Sequence, residues 1–175
     1  MTNAPSVPST APPPALRIRA AVAGDAGWLA ACAIAMARET ESKALDPDTV
    51  RAGVANGLAD PRRARYFIAM RDAHAGHDTL GQPVGTLMLT TEWSDWRNGQ
   101  WWWIQSVYVL PEARRQGVYA ALHRHVATLA CATPGVLGLR LYVERDNAAA
   151  KRTYAALGMR DAGYGVYEAA LGAGK

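Results

Sequence analysis

The stretch VYVLPEARRQGVYAAL, residues 107–122, decides how the chain is read. A buried strand runs up to Pro111, a short loop follows, and Arg114-Arg115-Gln116-Gly117-Val118-Tyr119 opens an amphipathic helix. From Gly117 onward Val118, Leu122, Val126 and Leu129 fall at i, i+4, i+8 and i+11, an apolar stripe that would lie on a sheet. Such a helix start presents several unpaired backbone N–H groups, and the helix dipole adds partial positive charge there. Gly117 leaves room for a phosphate to approach the backbone, and Arg114 and Arg115 add formal charge. Together they make a pyrophosphate-sized anion site; the competing reading is a basic turn that only starts a helix. It is neither a Walker loop nor a dinucleotide fingerprint, since no GK[ST] follows and one glycine stands where three are needed.

Working outward, the chain alternates in type. LRIRAAV from Leu16 is strand-like, and GDAGWLAACAIAMARE is helix-like, with Trp28, Cys32 and Met36 at i, i+4 and i+8. DPDTVRAGVANGL starts a second helix at Asp46-Pro47, with Asp48 in its first turn. ARYFIAM is a strand, Arg71 to Gln82 a loop, and PVGTLMLTT and WWWIQSVYVL are strands joined by the turn SDWRNG. After the glycine-led helix, VLGLRLYV is a strand with Leu137, Leu139, Leu141 and Val143 on one face. NAAAKRTYAALG is a short helix closed by Gly158, and MRDAGYGVYEA is a broken strand pair. The order β-α-α-β-β-β-α-β-α-β predicts an α/β fold: one mixed, mostly antiparallel sheet with helices on both faces.

With 175 residues, 50% of them hydrophobic and 19% charged, the chain has the size and composition of one globular domain, expected over residues 16–175. Residues 1–15 carry five of the ten prolines and no charged side chain, and read as a disordered tail. A signal peptide would need a basic start and a longer apolar core, and no apolar run is long enough to span a bilayer. Cys32 and Cys131 both fall in Ala-rich helical segments and read as small buried residues in a reducing cytoplasm. The net charge of +4 suits an anionic small ligand. No dense basic stripe runs along one helix, and the cluster Arg62, Arg63 and Arg65 reads as a solvated turn, so nucleic acid is not the expected partner. His74 with His77, and His123 with His125, lack the further ligands a zinc site requires.

Arg114-x-x-Gly117-x-Tyr119 after Val107-Tyr108-Val109 resembles the acyl-CoA signature of the GCN5-related N-acetyltransferases, Q/R-x-x-G-x-G/A. The resemblance runs from Leu16 to about Ala170, through the element order and through Asn147 with Tyr154 near the start of the next helix. Tyr119 stands where Gly or Ala is commonest, so its side chain must point away from the phosphates. The resemblance implies acetyl-CoA as co-substrate, with its pyrophosphate on the amides of Arg115, Gln116, Gly117, Val118, Tyr119 and Ala120. It implies that the pantetheine arm lies along Val107, Tyr108 and Val109 like an added strand. The reaction is then acyl transfer by direct attack of a neutral amine, aided by a preorganised donor for the developing oxyanion.

On this reading Tyr154 is the general acid for the departing thiolate, and Asn147 caps its helix and contacts the pantetheine. The base is Glu92 or Asp95, with Glu92 favoured. Glu39 and Glu41, expected between the first two helices, and Trp93 with Trp96 are candidates for binding the amine. Trp101 and Trp103 face one way along their strand and Trp102 the other, so some of the three are core. The segment around them also resembles the diamine/polyamine acetyltransferase branch, but Gln105 and Ser106 stand where polyamine enzymes have acidic residues. The expectation is a cytoplasmic N-acetyltransferase for a small primary amine. The alternatives are a protein acetyltransferase or a non-catalytic acyl-CoA-binding module. Many relatives are homodimers, with the C-terminal strand region a plausible exchange surface.

Overall fold

The computed structural model describes residues 16–72 and 81–169. The expected tail at residues 1–15 and the histidines His74 and His77 lie outside them. The elements are β1 (Leu16–Ala20), α1 (Ala26–Glu41), α2 (Pro47–Ala59), β2 (Arg65–Arg71), β3 (Gln82–Ser94), β4 (Gly99–Val109), α3 (Val118–Ala132), β5 (Val136–Leu141) and α4 (Ala148–Ala156). The chain falls into two compact units, one ending at Tyr142 and one starting at Val143.

Local chemistry explains most boundaries. Asp46 caps α2 by accepting from the Thr49 amide at 2.9 Å, and Pro47 supplies a helical φ at the first position. Helix α1 ends where Ser42 turns left-handed, φ 53°. Asn147 caps α4 by accepting from the Ala150 amide at 2.9 Å, and Gly158, φ 84°, follows the helix end.

The first unit is a five-stranded sheet in the order β1-β2-β3-β4-β5, antiparallel except for the parallel pair β4–β5. Strand alternation on β2 builds two cores. Phe67 and Ala69 pack with Leu87, Leu89, Trp102, Ile104, Leu122 and Val126, which places α3 on that face. Ile68 and Met70 pack with Leu29, Ala30 and Val54, which places α1 and α2 on the other. The α3 stripe is as expected, with Val118, Leu122 and Val126 at most 2% exposed.

Four expectations are corrected. Leu137 does not share a face with Leu139 and Leu141, because the β4–β5 register steps from Gln100↔Val136 to Trp101↔Gly138 and leaves Leu137 as the extra residue. Val136, Leu139 and Leu141 reach the core instead. In α1 Cys32 is buried, but its companions are Leu29, Ala30 and Ala37, with Trp28 and Met36 only half-buried. Cys131 is exposed, since it lies on the side of α3 away from the apolar stripe. Residues 159–169 form no strand; Gly163 turns left-handed there at φ 76°, and Tyr164, Val166 and Tyr167 are exposed.

Candidate active site

Strand β4 ends at Val109, a 3-10 turn spans Pro111–Ala113, and α3 begins at Val118 with Gly117 as its N-cap. No side chain caps α3, and its first backbone bond runs from the Ala121 amide to the Gly117 carbonyl at 2.9 Å. The amides of Val118 and Ala120 therefore have no partner within the helix. Arg115 and Gly117 are both left-handed, φ 62° and 77°, which curls the turn into a concave run of N–H donors. A Cβ built on Gly117 meets nothing within 4 Å, so the concavity opens to whatever the turn binds. Donors, dipole and space together fit a phosphate group. The Tyr119 ring lies tilted against His123, with centroids 6.0 Å apart. The Gln116 side chain is occupied, donating to the Glu112 carbonyl and accepting from Arg71, both at 2.8 Å.

Among the described residues no strand pairs with the neighbouring edge of β4 from Val107 to Val109. The Leu110 amide donates to the Val84 carbonyl at 3.0 Å, and bonded and non-bonded pairs alternate along an antiparallel ladder. With the register Gly85↔Val109, Thr86↔Tyr108 and Leu87↔Val107, the Tyr108 backbone pairs with β3, while Val107 and Val109 turn theirs the other way. Strand β5 pairs with β4 only from Gln100 to Ile104, so it does not meet them. A register shift between Met88 and Leu89 makes Gln105 the extra residue of a bulge just before this stretch.

Arg114 is not free for an anion. Its Nη2 donates to Glu39 Oε2 at 2.5 Å and its Nε to the Val109 carbonyl at 3.0 Å. The other Glu39 oxygen accepts from the Tyr108 hydroxyl at 2.6 Å. The Tyr108 hydroxyl first, and then the Arg114 guanidinium, hold the Glu39 carboxyl below the ordinary carboxylate range. Glu39 thus sits in the last turn of α1 as a bridge to the end of β4 rather than as an open amine ligand. Glu41 pairs with Lys43 at 2.5 Å. Arg115 has no ion-pair partner among the described residues.

The remaining acceptor candidates lie at the far end of the β3–β4 hairpin. Glu92 is inside β3 rather than after it, opposite Trp101. It accepts from the Trp103 indole and from Arg140, the latter at 2.7 Å. Arg140 also lies over the Trp101 ring at 4.2 Å, and Trp103 stacks on Tyr142 at 4.4 Å. Trp93 pairs with Gln100 and so faces away from Glu92, and in the hairpin turn Asp95 accepts from the adjacent Trp96 amide at 2.8 Å. Trp101 and Tyr108 are seven residues apart on β4, about 23 Å at strand rise. The structure therefore does not bring Glu39 together with Glu92 or Asp95, as charge compensation for a polyamine would need. Sequence reasoning missed Arg140; a lone arginine in an otherwise apolar strand was the available signal.

In the second unit Asn147 and Tyr154 stand seven residues apart, on one side of α4. Burial pushes the Tyr154 phenol above its ordinary pKa. Burial lowers that of His123, and His125 packs edge-on against Phe67 at 5.3 Å. Arg62 and Arg63 pair with Asp60, and Arg65 lies 3.7 Å over the Trp102 ring. Among the described residues no three histidine, cysteine, aspartate or glutamate side chains group as a metal site, and no helix is long and apolar enough to cross a membrane.

The acetyltransferase (GNAT) family profile matches residues 28–159. A possible acetyltransferase from Clostridium difficile 630 is 37% identical, superimposes with a TM-score of 0.79, and is matched over 89% of this chain and 97% of its own. A ribosomal-protein-alanine N-acetyltransferase from Brucella melitensis biovar Abortus 2308 is 17% identical, with a TM-score of 0.66 over 90% of this chain and 100% of its own. AAC(6')-Iy, solved with a bisubstrate analogue of CoA and acetylneamine, is 16% identical, with a TM-score of 0.69 over 90% of this chain and 99% of its own. No curated protein matches the sequence. The uncapped, glycine-led turn beside an open strand edge, on this sheet and under this profile, makes the chain a member of the acetyltransferase (GNAT) family of acetyl-CoA-dependent acyltransferases.

Proposed function

We propose that the protein transfers the acetyl group of acetyl-CoA to the primary amine of a small molecule, by direct attack of the neutral amine. The observation that carries this reading is the pairing of two features: the backbone groups of Val107 and Val109 face away from β3 beyond the last β5 partner, and the uncapped amides of Val118 and Ala120 at the start of α3 follow them. The first suits an extended amide-bearing arm, the second its pyrophosphate. Acetyl-CoA supplies an activated acyl thioester. Arg115, Gln116 and Gly117 complete the phosphate turn, and Asn147 is assigned to the pantetheine arm as well as to its cap. An amide of the Val107–Val109 edge is the donor for the developing oxyanion.

Tyr154 is the general acid. Its raised pKa keeps the hydroxyl protonated through neutral pH, ready to donate to the departing thiolate. Glu92 is assigned as the proton acceptor; opposite Trp101, about 20 Å along β4 from Val107 and paired with Arg140, it takes the proton only through a chain of waters. Trp93, Trp96 and Asp95, at the hairpin end, are the residues assigned to the amine, while Glu39 and Glu41 are held by Tyr108, Arg114 and Lys43. We also propose a homodimer that uses the exposed apolar segment Tyr164, Val166 and Tyr167, 84%, 68% and 96% accessible. Light scattering of a Tyr164→Ser/Tyr167→Ser variant reads this directly: a dimer that persists in the variant overturns the surface.

Free-thiol release from acetyl-CoA, measured with polyamines, amino acids, aminoglycosides and a Lys peptide, tests the function. A no-acceptor blank and a variant lacking Cys32 and Cys131 remove the protein's own thiols from the signal. Release dependent on a free small amine supports the reading. Release with the Lys peptide alone overturns the small-molecule acceptor, and silence with acetyl-CoA bound overturns the transfer.

A further inference from the structure

We propose that Glu39 is a positioning residue of the cofactor site: acting through Arg114, it determines which backbone groups of the β4 edge an extended ligand can pair with. The inference rests on the assignment of that edge and the following turn to acetyl-CoA.

Val107 and Val109 together offer the open edge two N–H groups and two carbonyls. One of the four is already closed, because Arg114 Nε donates to the Val109 carbonyl at 3.0 Å. A guanidinium on a flexible stem does not keep such a bond by itself. Here its Nη2 is fixed on Glu39 Oε2, and Glu39 is fixed in turn by the Tyr108 hydroxyl on Oε1 at 2.6 Å. Tyr108 is only 8% exposed and its backbone is tied to β3, so the chain of bonds ends on a rigid strand. Arg114 Cζ lies 5.6 Å from the Tyr108 ring, which limits its swing.

The consequence is a register. A strand-like arm pairs with the Val107 groups and the Val109 amide, and cannot slide on to the Val109 carbonyl. Backbone pairing repeats every two residues, about 6.6 Å, so a slipped arm would carry the thioester well away from its oxyanion donor. Glu39 acts on this geometry without touching the reacting atoms. Simple charge neutralisation is a different role with the opposite sign: removing Glu39 would then free a positive charge beside the phosphates and tighten CoA binding, leaving turnover alone.

Residue-resolved amide exchange by NMR, with CoA itself as the probe, separates these. In the wild-type protein CoA should slow exchange at the Val109 amide and at Val118, Tyr119 and Ala120. In Glu39→Ala the protection at Val109 should fall about tenfold while that at the helix start is kept. Glu39→Gln keeps an oxygen for Arg114 and should restore most of it. Arg114→Ala removes the strap from its other end and should reproduce the loss, which covers the case of a Glu39→Ala protein that does not fold. Transfer to an amine active with the wild-type protein should show the same division, with kcat reduced about tenfold and the CoA dissociation constant unchanged or lower. Wild-type protection that stays the same in Glu39→Ala and Arg114→Ala overturns this inference alone. Absence of protection at both places in the wild-type protein overturns the cofactor site, and the inference with it.

Discussion

Replacing Gly117 by alanine separates the two reasons for a glycine at the head of α3. The residue is left-handed, φ 77°, which costs an L-residue about 1 kcal/mol. Its Cβ would meet no protein atom within 4 Å, so no packing penalty is added. In a chain of this size that strain lowers Tm by roughly 2–4 °C. Gly135 is an internal control, equally left-handed at φ 78° and equally open, but in the turn between α3 and β5. Gly135→Ala should therefore lose the same stability as Gly117→Ala. Only Gly117→Ala should weaken CoA, because there the methyl occupies the space a phosphate takes and loosens its amide bonds. One charge-assisted bond is worth about 1.5–3 kcal/mol, so the dissociation constant rises at least about tenfold. Gly117→Glu adds a like charge about 5 Å from the phosphate, roughly 3 kcal/mol at a surface dielectric, and a loss beyond about a hundredfold. Calorimetric titration with CoA gives the affinities and a thermal melt the stabilities. If the alanine variants at both glycines bind CoA as tightly as the wild-type protein, the turn is not the phosphate site.

Further outcomes follow from the same geometry. Tyr154→Phe should lose at least about a hundredfold in turnover with CoA affinity within about twofold; an equal loss in both would remove the acid role. Because burial raises the Tyr154 pKa, the alkaline fall in kcat belongs above about pH 10, and a tyrosine-dependent fall near pH 8 would contradict it. Leu122, fully buried under α3, should cost about 2–5 kcal/mol as alanine, read from the denaturation midpoint; a loss below about 1 kcal/mol would mean that the helix does not pack as described. Asp25 accepts from both terminal nitrogens of Arg19, at 2.7 and 2.8 Å, and from the Val22 amide at 2.8 Å. The Arg19 bond holds its pKa below the ordinary value, so its contribution is complete above about pH 4 and fades as pH falls below that. The stability gap between wild type and Asp25→Asn should then shrink from pH 7 to pH 3, and a constant gap would refute the linkage.

The helices and the glycine-led turn were legible because their signals are local. Asp46-Pro47 and Asn147 cap within three residues, and Val118, Leu122 and Val126 repeat at the helix period. Gly117 marked the head of α3, though its left-handed φ of 77° is seen only in the structure. The strands were legible as strands, but not their extent or faces: Glu92 lies inside β3, and one extra residue at Leu137 exchanged the core partner of β5. The segment 159–169 shows the limit of composition, since strand-like residues without a partner strand make no strand.

What the sequence determined by itself was the order of elements from β1 to α4, the apolar stripe of α3, the caps of α2 and α4 and the glycine-led turn. Each depends on groups within about one helical turn or one strand pair of each other, so the pattern and the contact coincide. What only the tertiary structure decided was the disposition of charge. Arg114 meets Glu39 from 75 residues away, and Arg140 meets Glu92 from 48 residues away. Nothing in the spacing of those residues distinguishes a free carboxylate from a paired one. Their partners were selected by strand register and by the direction in which α1 ends, and both are settled only when the sheet assembles around its two cores.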